Sequence, residues 1–162
     1  MPVRTRKMIG MTLETGSARQ LVLDTYEGDV TISGLEAGGV AAVPILDRGT
    51  YAESVEGDDS FPTLAVTLKH DGRLTDAVSQ KIADMLMKQG AASADATTDP
   101  GQRVWMLKIV VNVTYPGGGV DLITACNARP KWDYTAAAEG NNLSLSFDCY
   151  RDGAGADPIV IT

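Results

Sequence analysis

Only one histidine occurs in 162 residues, with two cysteines and no apolar run long enough to span a bilayer. Any His-based triad or metal centre would rest on His70 alone, and its place beside Asp71 and Gly72 at the end of an alternating segment reads as a turn rather than a catalytic position. A membrane helix needs about 20 successive apolar residues, and the basic start is not followed by the apolar core of a secretory signal, so the expected setting is the cytosol, with no membrane. In that setting Cys126 and Cys149 are expected to be thiols in strands rather than a bridge. Cations are also short: 14 Lys and Arg stand against 21 Asp and Glu, for a formal net charge of −7. Affinity for a phosphate backbone comes from Lys and Arg displacing counterions, so tight nucleic-acid binding is disfavoured. The few cations are unevenly placed, with Arg4, Arg6 and Lys7 forming a basic arm over residues 1–7 ahead of an acidic body.

What is present is alternation. Trp105, Leu107, Ile109, Val111, Val113 and Tyr115 fall on every second position, the signature of a strand with one face against a core. The opposite face carries Val104, Met106, Lys108, Val110, Asn112 and Thr114 and is neither cleanly wet nor dry. Shorter segments at 8–13, 20–25, 30–33 and 64–69 read as strands, as do 120–125, 132–138 and 143–150 later in the chain and a short edge at 159–161. One helix is expected over about residues 75–89: Thr75 can cap it, Asp76 suits its positive end, Val78, Ile82, Met85 and Leu86 form an apolar stripe, and Gly90 stops it. Residues 34–60 are weaker in pattern, with Val43 to Leu46 around Pro44, then Asp47-Arg48-Gly49, and then Glu56-Gly57-Asp58-Asp59. They read as a long hairpin or a projecting loop, and a binding loop is favoured. The whole is a single domain over 1–162, mainly β, an antiparallel β-sandwich or partly rolled barrel with one flanking helix.

Several signals carry no chemistry. Gly117-Gly118-Gly119 lacks both a following helix and the Lys-Ser/Thr pair of a phosphate loop. Glu56, Asp58 and Asp59 lack the ligand spacing of a calcium loop. Trp105 and Trp132 sit within alternating segments, where packing is the expected role. No catalytic residue, metal or cofactor is expected.

The order of segments resembles the tail tube protein of long-tailed bacteriophages. The resemblance rests on Glu27-Gly28-Asp29-Val30, the stretch Ile45-Leu46-Asp47-Arg48-Gly49, Gly57-Asp58-Asp59 ahead of a strand, one helix, and the run 134–147 from Tyr134-Thr135-Ala136 to Leu145-Ser146-Phe147. It covers most of residues 8–150 without an exclusive motif. It implies a structural virion protein, not an enzyme, whose six copies close into a ring. Such rings stack into the tail tube around a tape measure protein and end at a tail terminator. The tube is assembled in the host cytoplasm, and genomic DNA passes through it without specific binding. A terminator or baseplate component, and a contractile rather than non-contractile system, fit the same pattern. A monomeric sandwich with an apolar ligand pocket is the alternative from another class.

On this reading Arg4, Arg6, Lys7, Asp47, Arg48, Glu56, Asp58 and Asp59 are candidates for contacts between rings. Lys108, Asn112, Lys131, Asp133, Ser144, Ser146 and Asp148 are candidates for the lumen or for faces between subunits. An exposed ion pair contributes only about 0–1 kcal/mol, so the basic arm gains weight only by repetition around a ring. Deleting residues 2–7 is therefore expected to impair tube growth in electron micrographs, and full-length tubes from the truncated chain would remove the arm from the assembly.

Overall fold

The computed structural model describes residues 8–26, 29–36, 40–69, 73–76, 81–138, 140–152, 154 and 157–162. Arg4, Arg6, Lys7, His70 and Val78 lie outside them. Ten strands and one α-helix follow in order: β1 (Met8–Glu14), β2 (Gln20–Tyr26), β3 (Asp29–Ser33), β4 (Val40–Asp47), β5 (Thr50–Asp59), β6 (Thr63–Lys69), α1 (Ile82–Met87), β7 (Leu107–Thr114), β8 (Val120–Thr135), β9 (Asn142–Tyr150) and β10 (Ile159–Ile161). Among the described residues eight strands form one antiparallel sheet in the order β2-β1-β7-β8-β9-β6-β3, with β10 beside β8, and β4 and β5 pair only with each other.

The long sheet becomes a sandwich because β8 belongs to both leaves. Its first half pairs with β7, from Thr114↔Val120 to Leu107↔Ala128, and its second half pairs with β9, from Asn127↔Tyr150 to Thr135↔Asn142. Between the Ile109↔Ala125 and Leu107↔Ala128 pairs, β8 spends one residue more than β7. An extra residue in one strand bends it and increases its twist, and strands that cross between packed sheets do so at such bends. Burial follows the bend: Ile123, Ala125 and Asn127 are buried before it, while Ala128 is buried and Trp132 and Tyr134 pack against the core after it. The inward side thus changes from odd to even numbers without leaving the core.

This corrects the expectation of separate strands at 120–125 and 132–138. Asn127, Arg129 and Pro130 look like turn residues, yet they lie within a strand of 16 residues. Pro130 stands opposite Phe147 in the β8–β9 ladder, beyond the last β7 pair at Ala128, so its half of β8 is an edge, a strand context that accepts a residue without an N–H.

One leaf, β2-β1-β7 with the start of β8, supplies Met11, Leu13, Leu23, Leu107, Ile109 and Val111 to the core; the other, the end of β8 with β9, β6 and β3, supplies Leu64, Val66, Leu68, Leu143, Leu145 and Phe147. All twelve belong to one apolar cluster. The alternation read at 104–115 holds for Leu107, Ile109 and Val111, but β7 begins at Leu107, and Met106, placed by the alternation on the outward face, is buried ahead of it.

The helix is shorter than expected. It spans Ile82–Met87, closed by Lys88 at φ 52°, and buries Ile82, Met85 and Leu86. Thr75 does not cap it, and Gly90 comes after its end. Instead the fully buried Asp84 gathers the preceding segment: its carboxylate accepts the Thr75 hydroxyl at 2.6 Å and the backbone N–H of Asp76 and Lys81 at 3.0 and 3.1 Å. A carboxylate satisfied by three donors holds residues 75, 76 and 81 around itself, which takes the first two out of the helix. Trp105 locks the other side by donating its indole N–H to the Met85 carbonyl at 2.8 Å. The helix therefore lies at the end of the sandwich where β7 begins.

A second polar knot ties the β1–β2 turn to the segment after the helix. Asp95 accepts the Thr15 hydroxyl at 2.9 Å and pairs with Arg19 Nε at 2.7 Å. Gly16 lies so close to the Thr97 carbonyl that a Cβ would overlap it. Asp84→Ala strips the acceptor from three donors and is expected to lower stability by about 3 kcal/mol, read as a shifted midpoint in urea unfolding; an unchanged midpoint would dismiss the carboxylate as the organiser.

Candidate functional site

Among the described residues no strand pairs the outer edge of β2 or of β3. Unpaired edges present rows of N–H and C=O groups to any further strand, and β2 carries Leu21, Val22 and Leu23 with no Pro or Lys to guard it. The sheet is open, not a closed barrel.

Residues 40–59 form a hairpin with its own two-stranded sheet rather than an irregular loop. Its turn is Arg48-Gly49, with φ of 53° and 80°, the two positive values of a type I′ connection that matches strand twist. Asn-Gly is the usual pair there, and an Arg in the left-handed region costs roughly 1–2 kcal/mol. Val43, Ile45, Leu46, Tyr51 and Val55 are all exposed, Leu46 by 58% and Tyr51 by 63%. The register sets Val43 against Val55 on one face and Leu46 against Tyr51 on the other, close to the tip. A two-stranded ribbon has no core of its own and is marginal in water, so a ribbon apolar on both faces is a surface awaiting a partner.

The hairpin sequence candidates divide between its two ends. Asp47 and Arg48 stand at the tip, while Glu56, Asp58 and Asp59 stand toward the base, roughly 20–30 Å away along the strands at about 3.3 Å per residue. Asp59 is 3.4 Å from Arg151 Nε, and Phe61 rests against Tyr150 with ring centroids 5.1 Å apart. These contacts pin the hairpin base to the end of β9.

The candidates for lumen and subunit faces fall on two different surfaces. Lys131, Asp133, Ser144, Ser146 and Asp148 share the outward side of the β8-β9-β6-β3 leaf, where the rows read Arg129-Asp148-Thr63-Ser33, Lys131-Ser146-Ala65-Thr31 and Asp133-Ser144-Thr67-Asp29. Every position but Ala65 is polar. Lys131 pairs with Asp148 at 2.8 Å. Charges on this face are mixed in sign, Arg129, Lys131 and Lys69 against Asp29, Asp133 and Asp148, so it carries no concentration of acid. The hairpin carries that concentration instead, in Asp47, Glu53, Glu56, Asp58 and Asp59. Lys108 and Asn112 lie on the outward side of the other leaf, in the company of Val22, Val110, Val120 and Leu122, a mixed and partly apolar surface.

A cavity of about 520 Å³ opens between the leaves at the end opposite the helix, lined by Ile9, Asp29, Val30, Ile32, Val113, Tyr115 and Ile123. Tyr115 donates to Asp121 at 2.7 Å beside it. That bond and the nearby charge raise the Tyr115 pKa above 10.0, because the carboxylate accepts from the protonated phenol. Sequence reading missed this cavity, as it missed the apolar hairpin faces. Its lining comes from four strands that are distant in the chain, and no local motif marks it.

Among the described residues no group of three or more His, Cys, Asp or Glu is placed to hold a metal, and no helix is long and apolar enough to cross a membrane. Cys126 and Cys149 are free thiols, the first half-buried and the second buried in β9. Burial pushes the Cys149 thiol from 9.0 up to about 12. The folded chain thus holds a proton that the unfolded chain releases, so this contribution to stability is complete below pH 9 and is lost as the pH rises toward 12. Cys149→Ala is expected to flatten that part of the stability profile in urea titrations between pH 8.5 and about 11; an unaltered slope would exclude the thiol. No protein-family model, curated protein or solved structure matches this chain.

Proposed function

We propose that this chain is a structural, non-enzymatic protein that assembles with copies of itself into rings stacked as a tube, of the kind the resemblance to phage tail tube proteins implies. The observation that carries the reading is the unfinished surface: open sheet edges at β2, at β3 and along the Arg129–Thr135 half of β8, together with a hairpin exposed and apolar on both faces. A head-to-tail contact that closes after a rotation makes a ring and sets an edge of every copy against the next. The hairpin, standing off the sandwich, is then available to reach a neighbour.

Within such a ring the polar outward side of the β8-β9-β6-β3 leaf is the better lumen. Serines, threonines and ions of both signs offer DNA neither an array of cations to bind nor an apolar surface to stick to. This differs from repulsion by a uniformly acidic channel, since the acids gather on the hairpin. The partly apolar opposite leaf, with Lys108 and Asn112, suits the outside of the tube or a subunit contact. In a phage the tube belongs to the virion tail, with the tape measure protein inside it and a terminator at its end.

The cavity at the end of the sandwich favours a second reading. Its volume lies within the range of about 300–1,000 Å³ common to ligand pockets, which suits a monomeric carrier of an apolar molecule. Mass separates the two. Light scattering and negative-stain micrographs of the purified chain are expected to show rings or tubes far above 17.1 kDa, whereas a strictly monomeric species at high concentration overturns the assembly.

A further inference from the structure

We infer that the hairpin tip of one copy seats in the end cavity of another copy, with Leu46 and Tyr51 entering between the leaves and Arg48 meeting Asp29 and Asp121 at the rim. The inference rests on the assembly reading and names the contact that reading leaves open. Complementarity carries it. The cavity offers apolar walls, Val30 and Ile32 from β3 facing Ile9 and Val113 from β1 and β7, with Asp29 in its lining and Asp121 bonded to Tyr115. The tip presents the reverse: a cross-strand pair of large exposed side chains, Leu46 and Tyr51, beside a cation at the turn. Asp47 falls on the face away from Leu46 by strand alternation, so it does not set a like charge against the rim.

Two further facts agree. The hairpin strands extend over about 25 Å at the usual rise per residue, enough to leave their own sandwich. Arg48 occupies a left-handed position where Asn or Gly folds more readily, and strain of this sort is retained where the side chain has a task. The cation selects the acidic rim and fixes register, while the apolar pair is removed from water.

Two measurements test the contact. Chains carrying Leu46→Cys and chains carrying Ile32→Cys, each with Cys126→Ser, are folded separately, mixed and oxidised; a covalent dimer holding one of each is expected. Arg48→Glu and Asp29→Lys each should raise the concentration needed for assembly by about tenfold or more, and the two together should restore it. Circular dichroism confirms that each variant keeps its strands. If the parent chain forms rings or tubes while no mixed dimer appears and both charge variants assemble at the parent concentration, the contact is wrong and the assembly stands. In a third variant carrying both Leu46→Cys and Ile32→Cys, a disulfide that forms only within one chain shows the tip folding onto its own cavity and overturns the contact. A parent chain that stays monomeric overturns both.

Discussion

The bend in β8 is the constraint on which the rest of the structure depends. A strand of 16 residues that pairs with β7 along its first half and β9 along its second would, if straight, leave one flat sheet with an uncovered apolar face. The extra residue before Ala128 turns the strand and shifts its inward side from odd to even positions. Both halves consequently aim their apolar side chains at one cluster. The helix plugs one end of that cluster through Ile82, Met85 and Leu86, and the end where β7 gives way to β8 is left with a cavity.

The same bend sorts the two outward faces. After it, Arg129, Lys131, Asp133 and Thr135 continue the polar rows of β9 and β6; before it, Leu122, Thr124 and Cys126 join the mixed surface of β1 and β7. One leaf is wet outside and the other partly greasy, which is the division a subunit needs if one side is to meet solvent or DNA and the other a neighbour. The open edges and the uncovered hairpin complete that asymmetry. Together they support a proposed role in which the isolated chain is one part of a larger closed object.

Much of the architecture could be read directly. The alternation of Leu107, Ile109 and Val111, and of Leu143, Leu145, Phe147 and Cys149, marks strands because both series bury one face and leave the other less covered. The helix was legible in its apolar stripe and illegible in its start. Thr75 and Asp76 have the chemistry of a cap, but the buried Asp84 carboxylate competes for the same donors and holds them outside the helix. The candidate site was legible only in outline. Ser144, Ser146, Lys131 and Asp133 stood out as polar alternates, yet their assembly into one face depends on β9 lying between β6 and the far half of β8.

The hairpin shows why the remainder was hidden. Val43, Ile45, Leu46 and Val55 look like core residues in one dimension, and only the absence of any covering element among the described residues shows them to be surface. By itself, then, the sequence determined the period of two, the acidic balance and the scarcity of histidine and cysteine, because each depends on residue type and near neighbours. Tertiary structure alone decided where β8 bends, which apolar side chains remain uncovered and which distant strands line the cavity. These depend on pairings such as Leu107 with Ala128 and Ala128 with Cys149, made between segments whose separation along the chain carries no local signal.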